Sequence, residues 1–98
     1  MITRIVKLPI APQTPEGQAF EKLFVQYKKD IAAAKGCFDV SMLRSNDCYF
    51  TYSHWRNQED LDAYRHSPIF AEVWPKTKAL FNGKPEAWSC EELAHERS

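Results

Sequence analysis

The stretch TYSHWRNQEDLDAYRHSPIF, residues 51–70, changes its hydrophobic period halfway along. Its first residues continue a run of β-branched and aromatic side chains that is typical of a strand. Asn57 can cap a helix, with Asp60 three residues on in an imperfect capping box. Ser67 and Pro68 then offer a second N-cap and a second first helical position. The stretch therefore predicts a strand followed, without an intervening glycine, by a helix in two pieces.

Upstream of this stretch the pattern predicts one strand and one long helix. Residues 2–8 alternate between two faces, and one of these faces carries Ile2, Arg4, Val6 and Leu8. Thr14 can cap a helix that starts at Pro15, and Gly36 can act as the C-terminal cap of that helix. Apolar residues form one stripe along that helix: Phe20, Leu23, Phe24, Tyr27, Ile31 and Ala34.

The other segments complete a four-stranded pattern. Residues 37–44 and 48–55 flank a turn-forming Ser-Asn-Asp and predict a hairpin. The second half of the broken helix continues to Gly83, and residues 85–93 predict a last strand. The order β-α-β-β-α-β predicts a single α+β domain over residues 1–98. Its expected form is the ferredoxin-like fold, a four-stranded antiparallel sheet with its helices on one face.

The predicted third strand is apolar on both of its faces. Whichever face the helices cover, either Phe50 and Tyr52 or Tyr49 and Trp55 turn the other way. Monomers rarely expose an apolar patch beyond a few hundred Å². We therefore predict a homodimer in which two sheets pack face to face.

The composition argues against several classes of partner. Thirteen Lys and Arg residues balance thirteen Asp and Glu residues, so the basic excess of a nucleic-acid or anionic-membrane protein is missing. No apolar run reaches the roughly 20 residues of a transmembrane helix. Cys37, Cys48 and Cys90 have no metal-ligand spacing, so we predict free thiols, no metal and a cytoplasmic location.

Residues 49–81 carry a family resemblance. A tryptophan ends the third strand, an acidic residue starts the next helix, and an aromatic residue, a serine and a phenylalanine follow; the matching residues are Trp55, Glu59, Tyr64, Ser67 and Phe70. With the β-α-β-β-α-β order, this pattern resembles the antibiotic biosynthesis monooxygenase family of small dimeric α+β barrel proteins. The resemblance implies a pocket between helices and sheet, and a monooxygenase that oxidises a phenolic, quinol or anthrone-like ring.

The resemblance also implies that this chain needs no cofactor. Haem-degrading relatives place a ligand histidine on the second helix, where this chain has Tyr64, and an asparagine on the first strand, where residues 2–8 have none. We therefore predict no haem, no other cofactor, and a small aromatic molecule as the ligand.

Cofactor-free oxygenation needs a dry pocket, a base and a hydrogen-bond donor for the developing anion. His54 is the natural base, Trp55 offers a flat wall with one N–H donor, and Tyr64 offers a hydroxyl donor. The predicted substrate-binding residues are Trp74, Phe24, Tyr27, Tyr52 and Phe70. Because neighbouring strand residues point to opposite faces, His54 and Trp55 share one pocket only if a bulge intervenes.

Three functions remain open at this point. The chain is an oxygenase, or it binds a small aromatic ligand without turnover, or it is an assembly module whose pocket is filled by its own side chains.

Overall fold

A computed structural model describes all 98 residues of the chain. Its elements, in chain order, are β1 (Ile2–Leu8), α1 (Pro15–Ala32), β2 (Cys37–Arg44), β3 (Tyr49–Trp55), α2 (Gln58–Arg65), α3 (Pro68–Lys78) and β4 (Glu86–Glu91). The four strands form one antiparallel sheet in the order β2-β3-β1-β4. The ferredoxin-like α+β fold predicted from the sequence is confirmed.

The sequence also locates the helix starts correctly. The side chains of Thr14, Asn57 and Ser67 each accept a hydrogen bond from a backbone N–H in the first turn of α1, α2 and α3, respectively. Pro68 begins α3 two residues after the C-cap of α2. Each cap supplies a partner for a backbone N–H that would otherwise have none, which is why polar residues mark all three starts.

Four predicted element ends differ in the structure. Helix α1 ends at Ala32 with Ala33 as its C-cap, whereas Gly36 lies beyond it, in the turn before β2, with a φ of 78°. Helix α3 ends at Lys78, five residues before Gly83, and hydrogen-bonded turns follow it. Strand β4 is two residues shorter at its C-terminal end and one shorter at its start than the sequence pattern predicts. For both helices the glycine lies in the following loop, and the regular hydrogen bonds stop before it.

The strand register decides which side chains meet the helices. Arg4 pairs with Ser53, Val6 with Thr51, and Leu8 with Tyr49. These residues point towards the helices, and their sequence neighbours point to the other face of the sheet.

One end of the space under the helices is filled by a tight core. Leu8, Ile10, Phe20 and Tyr49 form a buried cluster, in which the rings of Phe20 and Tyr49 meet edge to face at 5.0 Å. The buried hydroxyl of Tyr49 lies within hydrogen-bond distance of the Glu21 carboxylate. The core therefore closes this end, and the space beyond it remains open.

Candidate functional site

A cavity of about 290 Å³ lies between the sheet and the three helices. Fifteen of its 22 lining residues are hydrophobic. Small-molecule sites are mostly apolar and have volumes of roughly 300–1,000 Å³, so this cavity is close to the lower end of that range. Its size and lining suit one small, largely apolar molecule.

The sheet forms the floor of the cavity. The floor residues come from all four strands: Arg4, Val6, Leu8, Val40, Thr51, Ser53, Trp55 and Ala87. Trp55 has a side chain that is only 1% exposed, and its indole N–H donates to the Ser53 hydroxyl at 2.9 Å. That N–H, which the sequence offered as a donor to substrate, is therefore already engaged, and Trp55 provides a flat surface.

Four rings follow one another along the cavity and form what we call the aromatic wall: Trp55, Tyr64, Phe70 and Trp74. Successive ring centroids lie 5.1, 5.4 and 5.7 Å apart, and the Phe70 and Trp74 rings are stacked. The wall is continuous because α3 restarts at the Ser67 cap soon after α2 ends, which brings Phe70 against Tyr64. Phe24 and Tyr27 line the cavity from α1.

Tyr64 is the hydroxyl donor of the wall. Burial raises the pKa of Tyr64 to about 12, and the nearby Cys37 thiol adds to the increase. The hydroxyl is therefore protonated throughout the neutral range, and no protein group forms a hydrogen bond with it. It is free to donate to a bound ligand.

Two arginines also line the cavity, and we call Arg4 and Arg65 the arginine pair. Arg4 is half-buried on β1, and its Nη1 donates to the Ser89 hydroxyl at 2.9 Å. Burial lowers the pKa of the Arg4 guanidinium, the positive charge of Arg65 lowers it further, and the Asp62 carboxylate opposes the change. Both guanidinium groups remain charged at neutral pH. One part of an otherwise apolar cavity is thus positive.

The structure brings six of the eight predicted site residues to the cavity. They are Phe24, Tyr27, Trp55, Tyr64, Phe70 and Trp74. Their roles in binding or catalysis remain predictions.

The other two residues, His54 and Tyr52, lie on the opposite face of the sheet, so their expected place in the pocket was wrong. No bulge interrupts the β1–β3 pairing, in which His54 pairs with Thr3 and Tyr52 with Ile5. The His54 ring meets that of Tyr52 edge to face at 4.8 Å, and its Nδ1 lies 2.7 Å from an Asp39 carboxylate oxygen. The strand alternation that keeps Trp55 in the cavity therefore places His54 outside it.

Sequence reasoning did not single out the arginine pair as cavity residues. A signal for Arg4 was present, because it shares a strand face with Ile2, Val6 and Leu8 and is the one charged member of that apolar face. A charge at such a position needs a partner or a ligand. Arg65 carries no comparable signal, because a basic residue in the last turn of a helix is ordinary.

No group of three or more His, Cys, Asp or Glu side chains is arranged to hold a metal ion. The longest helix, α1, lacks the apolar length required to cross a bilayer, and the shorter helices lack it too.

The fold and the cavity define a class of small ferredoxin-like α+β proteins with a largely apolar, aromatic-walled cavity between sheet and helices. Residues 1–74 match the family model described as antibiotic biosynthesis monooxygenase. The chain belongs to this family, as its resemblance had indicated. A comparison with curated proteins gave no match.

Solved structures show the same fold. A Mycobacterium tuberculosis protein has a TM-score of 0.84 at 16% identity, with 98% of each chain covered. A conserved protein from Methanosarcina mazei has a TM-score of 0.82 at 19% identity, covering 94% of this chain and 93% of the other. SnoaB from Streptomyces nogalater, described as a cofactor-independent oxygenase, has a TM-score of 0.80 at 15% identity, with coverages of 96% and 94%.

Proposed function

We propose that the chain is a cofactor-independent monooxygenase that oxidises a small phenolic, quinol or anthrone-like ring in the cavity. The observation that supports this best is the aromatic wall, which includes the unpartnered hydroxyl of Tyr64. A flat aromatic surface orients a ring, and a protonated hydroxyl can stabilise the negative charge that forms on its oxygen. Membership of the monooxygenase family and the fold shared with SnoaB agree with this proposal.

The chemistry can proceed without a metal or flavin when the substrate forms a stabilised carbanion. A methylene carbon flanked by aromatic rings loses a proton to give an electron-rich anion, which transfers electrons directly to dioxygen. One oxygen atom becomes the new carbonyl oxygen and the other leaves as water, while the substrate carbon supplies all four electrons. The cavity's part is to hold the ring, exclude water and stabilise the anion.

The cavity has no side chain that is well placed to act as the general base. No histidine lines it, and the only carboxylate among the lining residues is Glu86. Glu86 pairs with Lys7 on the strand face that points away from the helices, so its carboxylate is not directed at the floor. We propose that the substrate is itself acidic enough to ionise in solution, so that bulk water accepts the proton before the anion enters the cavity.

We also propose that the protein is a homodimer, as the sequence predicts. The face of the sheet away from the helices carries several large side chains: Ile5, Leu43, Phe50, Tyr52 and Trp88. Trp88 is 43% exposed and Leu43 is 50% exposed in the single chain. Packing this face against its copy would cover them and would place His54 in the interface.

The function is tested by oxygen uptake in metal-free buffer. We expect 1,8-dihydroxyanthrone, or a substituted naphthalene-1,4-diol, to consume oxygen faster with the protein than in protein-free buffer. With labelled dioxygen, one labelled atom per turnover should appear in the anthraquinone. Tight binding of these compounds without any protein-dependent uptake would contradict catalysis and favour a binding protein.

A His54→Ala variant distinguishes a catalytic base at His54 from a substrate that ionises without a protein base. Because His54 lies outside the cavity, we expect the variant dimer to retain most of the oxygen uptake. Loss of uptake in a folded dimeric variant would support the catalytic role that the sequence suggested for His54.

The dimer gives a separate prediction. Trp88→Glu should convert the dimer to monomer in sedimentation velocity, with a loss of at least about 2 kcal/mol, or roughly 30-fold in the dissociation constant. The matched control is Val25→Glu, which places the same charge at a 60% exposed position on α1 and should leave the dimer intact. A wild-type chain that sediments as a monomer would contradict the proposal.

A further inference from the structure

The arginine pair has no carboxylate partner. None of the ion pairs in the structure includes Arg4 or Arg65, although Arg44 pairs with Glu21 and Arg56 with Asp60. The only hydrogen bond from the Arg4 side chain goes to a neutral hydroxyl, that of Ser89. Two cations thus lie at the cavity surface without an anion bound to either.

Their proximity is unfavourable in the empty protein. The charge of Arg65 disfavours the charged form of Arg4, and burial of the Arg4 guanidinium disfavours it as well. Asp62 reduces this cost but forms no ion pair with either arginine. An anion bound between the two guanidinium groups would remove the repulsion and would satisfy their free N–H donors.

A structural role explains Arg65 but not Arg4. Arg65 is in the last turn of α2, where a positive charge is favourable for the helix dipole. Arg4 lies in the middle of β1, on the same face as Val6 and Leu8, and no helix terminus accounts for it. The half-buried position of Arg4 therefore calls for a ligand.

We infer that the cavity selects aromatic molecules bearing an anionic oxygen group, and that Arg4 and Arg65 bind this group while the aromatic wall holds the ring. This inference rests on the proposed function, because it names the substrate class for the same cavity. It also accounts for the missing base when the substrate enters as an already ionised enol or phenol, because the reacting group has then lost its proton before it binds; a carboxylate would supply only the charge for binding. The shared chemistry is an anionic oxygen attached to or next to the ring.

Calorimetry with matched probes tests the inference. The first pair is 1-naphthoic acid and its neutral counterpart 1-naphthalenemethanol, and the second is 2-hydroxy-1,4-naphthoquinone, which is an ionised enol at neutral pH, and 1,4-naphthoquinone. We expect the wild-type protein to bind at least one anion about tenfold more tightly than its neutral counterpart, as is typical of charge-assisted hydrogen bonds. A preference in the first pair alone assigns a carboxylate, and one in the second pair alone assigns an ionised ring oxygen.

Variants of the two arginines test whether these residues cause the preference for the anionic probe. Arg4→Gln and Arg65→Gln should each reduce it severalfold, and Arg4→Lys should keep part of it. Lys22→Gln on α1, which removes the same charge from an exposed position, should leave it unchanged. Arg65 is exposed, so its variant provides the test if Arg4→Gln fails to fold.

The inference is overturned if wild type binds both members of each pair equally, if neither anion binds at millimolar concentration, or if Lys22→Gln lowers the preference as much as the arginine variants do. Failure of the proposed function has a different signature. In that case the anions bind through the arginine pair, but oxygen is not consumed.

Discussion

Gly36→Ala is expected to be among the most destabilising single-methyl changes in this protein, lowering the free energy of unfolding by about 2–4 kcal/mol. Gly36 has a φ of 78°, which is in the left-handed region that an alanine adopts only with strain. For a domain of this size, a loss of that magnitude corresponds to a melting temperature lower by about 10–20 °C. Thermal unfolding followed by circular dichroism measures it directly.

The larger part of the effect comes from Asp60. A Cβ at position 36 would lie 2.6 Å from Asp60 Cγ and 2.7 Å from Asp60 Cβ, well inside van der Waals contact. Asp60 is buried and accepts a hydrogen bond from Arg56 Nε at 2.9 Å, while the Arg56 backbone N–H donates to the Gly36 carbonyl at 2.7 Å. The alanine methyl would push Asp60 out of this arrangement and disturb the start of α2.

Two further variants separate strain from the clash. Gly83→Ala adds the same methyl group where the nearest neighbouring atom, Pro9 Cβ, lies at 3.6 Å, so its effect should stay within about 1 kcal/mol. In an Asp60→Ala background, Gly36→Ala should cost less than in wild type, because the clash is gone and only the backbone strain remains. Equal costs in both backgrounds would show that Asp60 is not the obstacle.

The fold was predictable because its signals are local. The caps Thr14, Asn57 and Ser67 and the alternation in residues 2–8 depend on neighbours a few residues away, and the structure agrees with them. Element ends were less certain because they depend on tertiary contacts. Gly36, for example, is required by the turn and by Asp60 packed against it, so its glycine signal marks a position four residues beyond the end of α1.

The site was predictable only in part. Tyr64, Phe70 and Trp74 are aromatic residues on helical segments, and such residues are expected to face the core without any knowledge of the sheet. Strand alternation showed that His54 and Trp55 must oppose each other, but the choice of face depends on which side the helices cover. That is a property of the assembled fold, and it is why His54 lies outside the cavity while Trp55 lines it.

Tyr64→Phe is expected to lower kcat for the oxygenated substrate about hundredfold, with a much smaller change in KM, as when one oxyanion donor is removed elsewhere. The variant removes only the hydroxyl, which has no protein partner to lose, and it leaves the ring contacts with Trp55 and Phe70 in place. Stability should therefore change little. Steady-state oxygen uptake, with a melting curve for each variant, provides the measurement.

The matched control is Tyr52→Phe, the same chemical change on the opposite face of the sheet, where the side chain does not line the cavity. Because the pKa of Tyr64 is raised to about 12, its hydroxyl stays a donor across the neutral range, so the ratio of wild-type to variant rates should be independent of pH between about 6 and 9. A ratio near one, or an equal loss in Tyr52→Phe, would mean that Tyr64 serves as wall and not as donor. In that case the arginine pair would be the remaining source of anion stabilisation in the cavity.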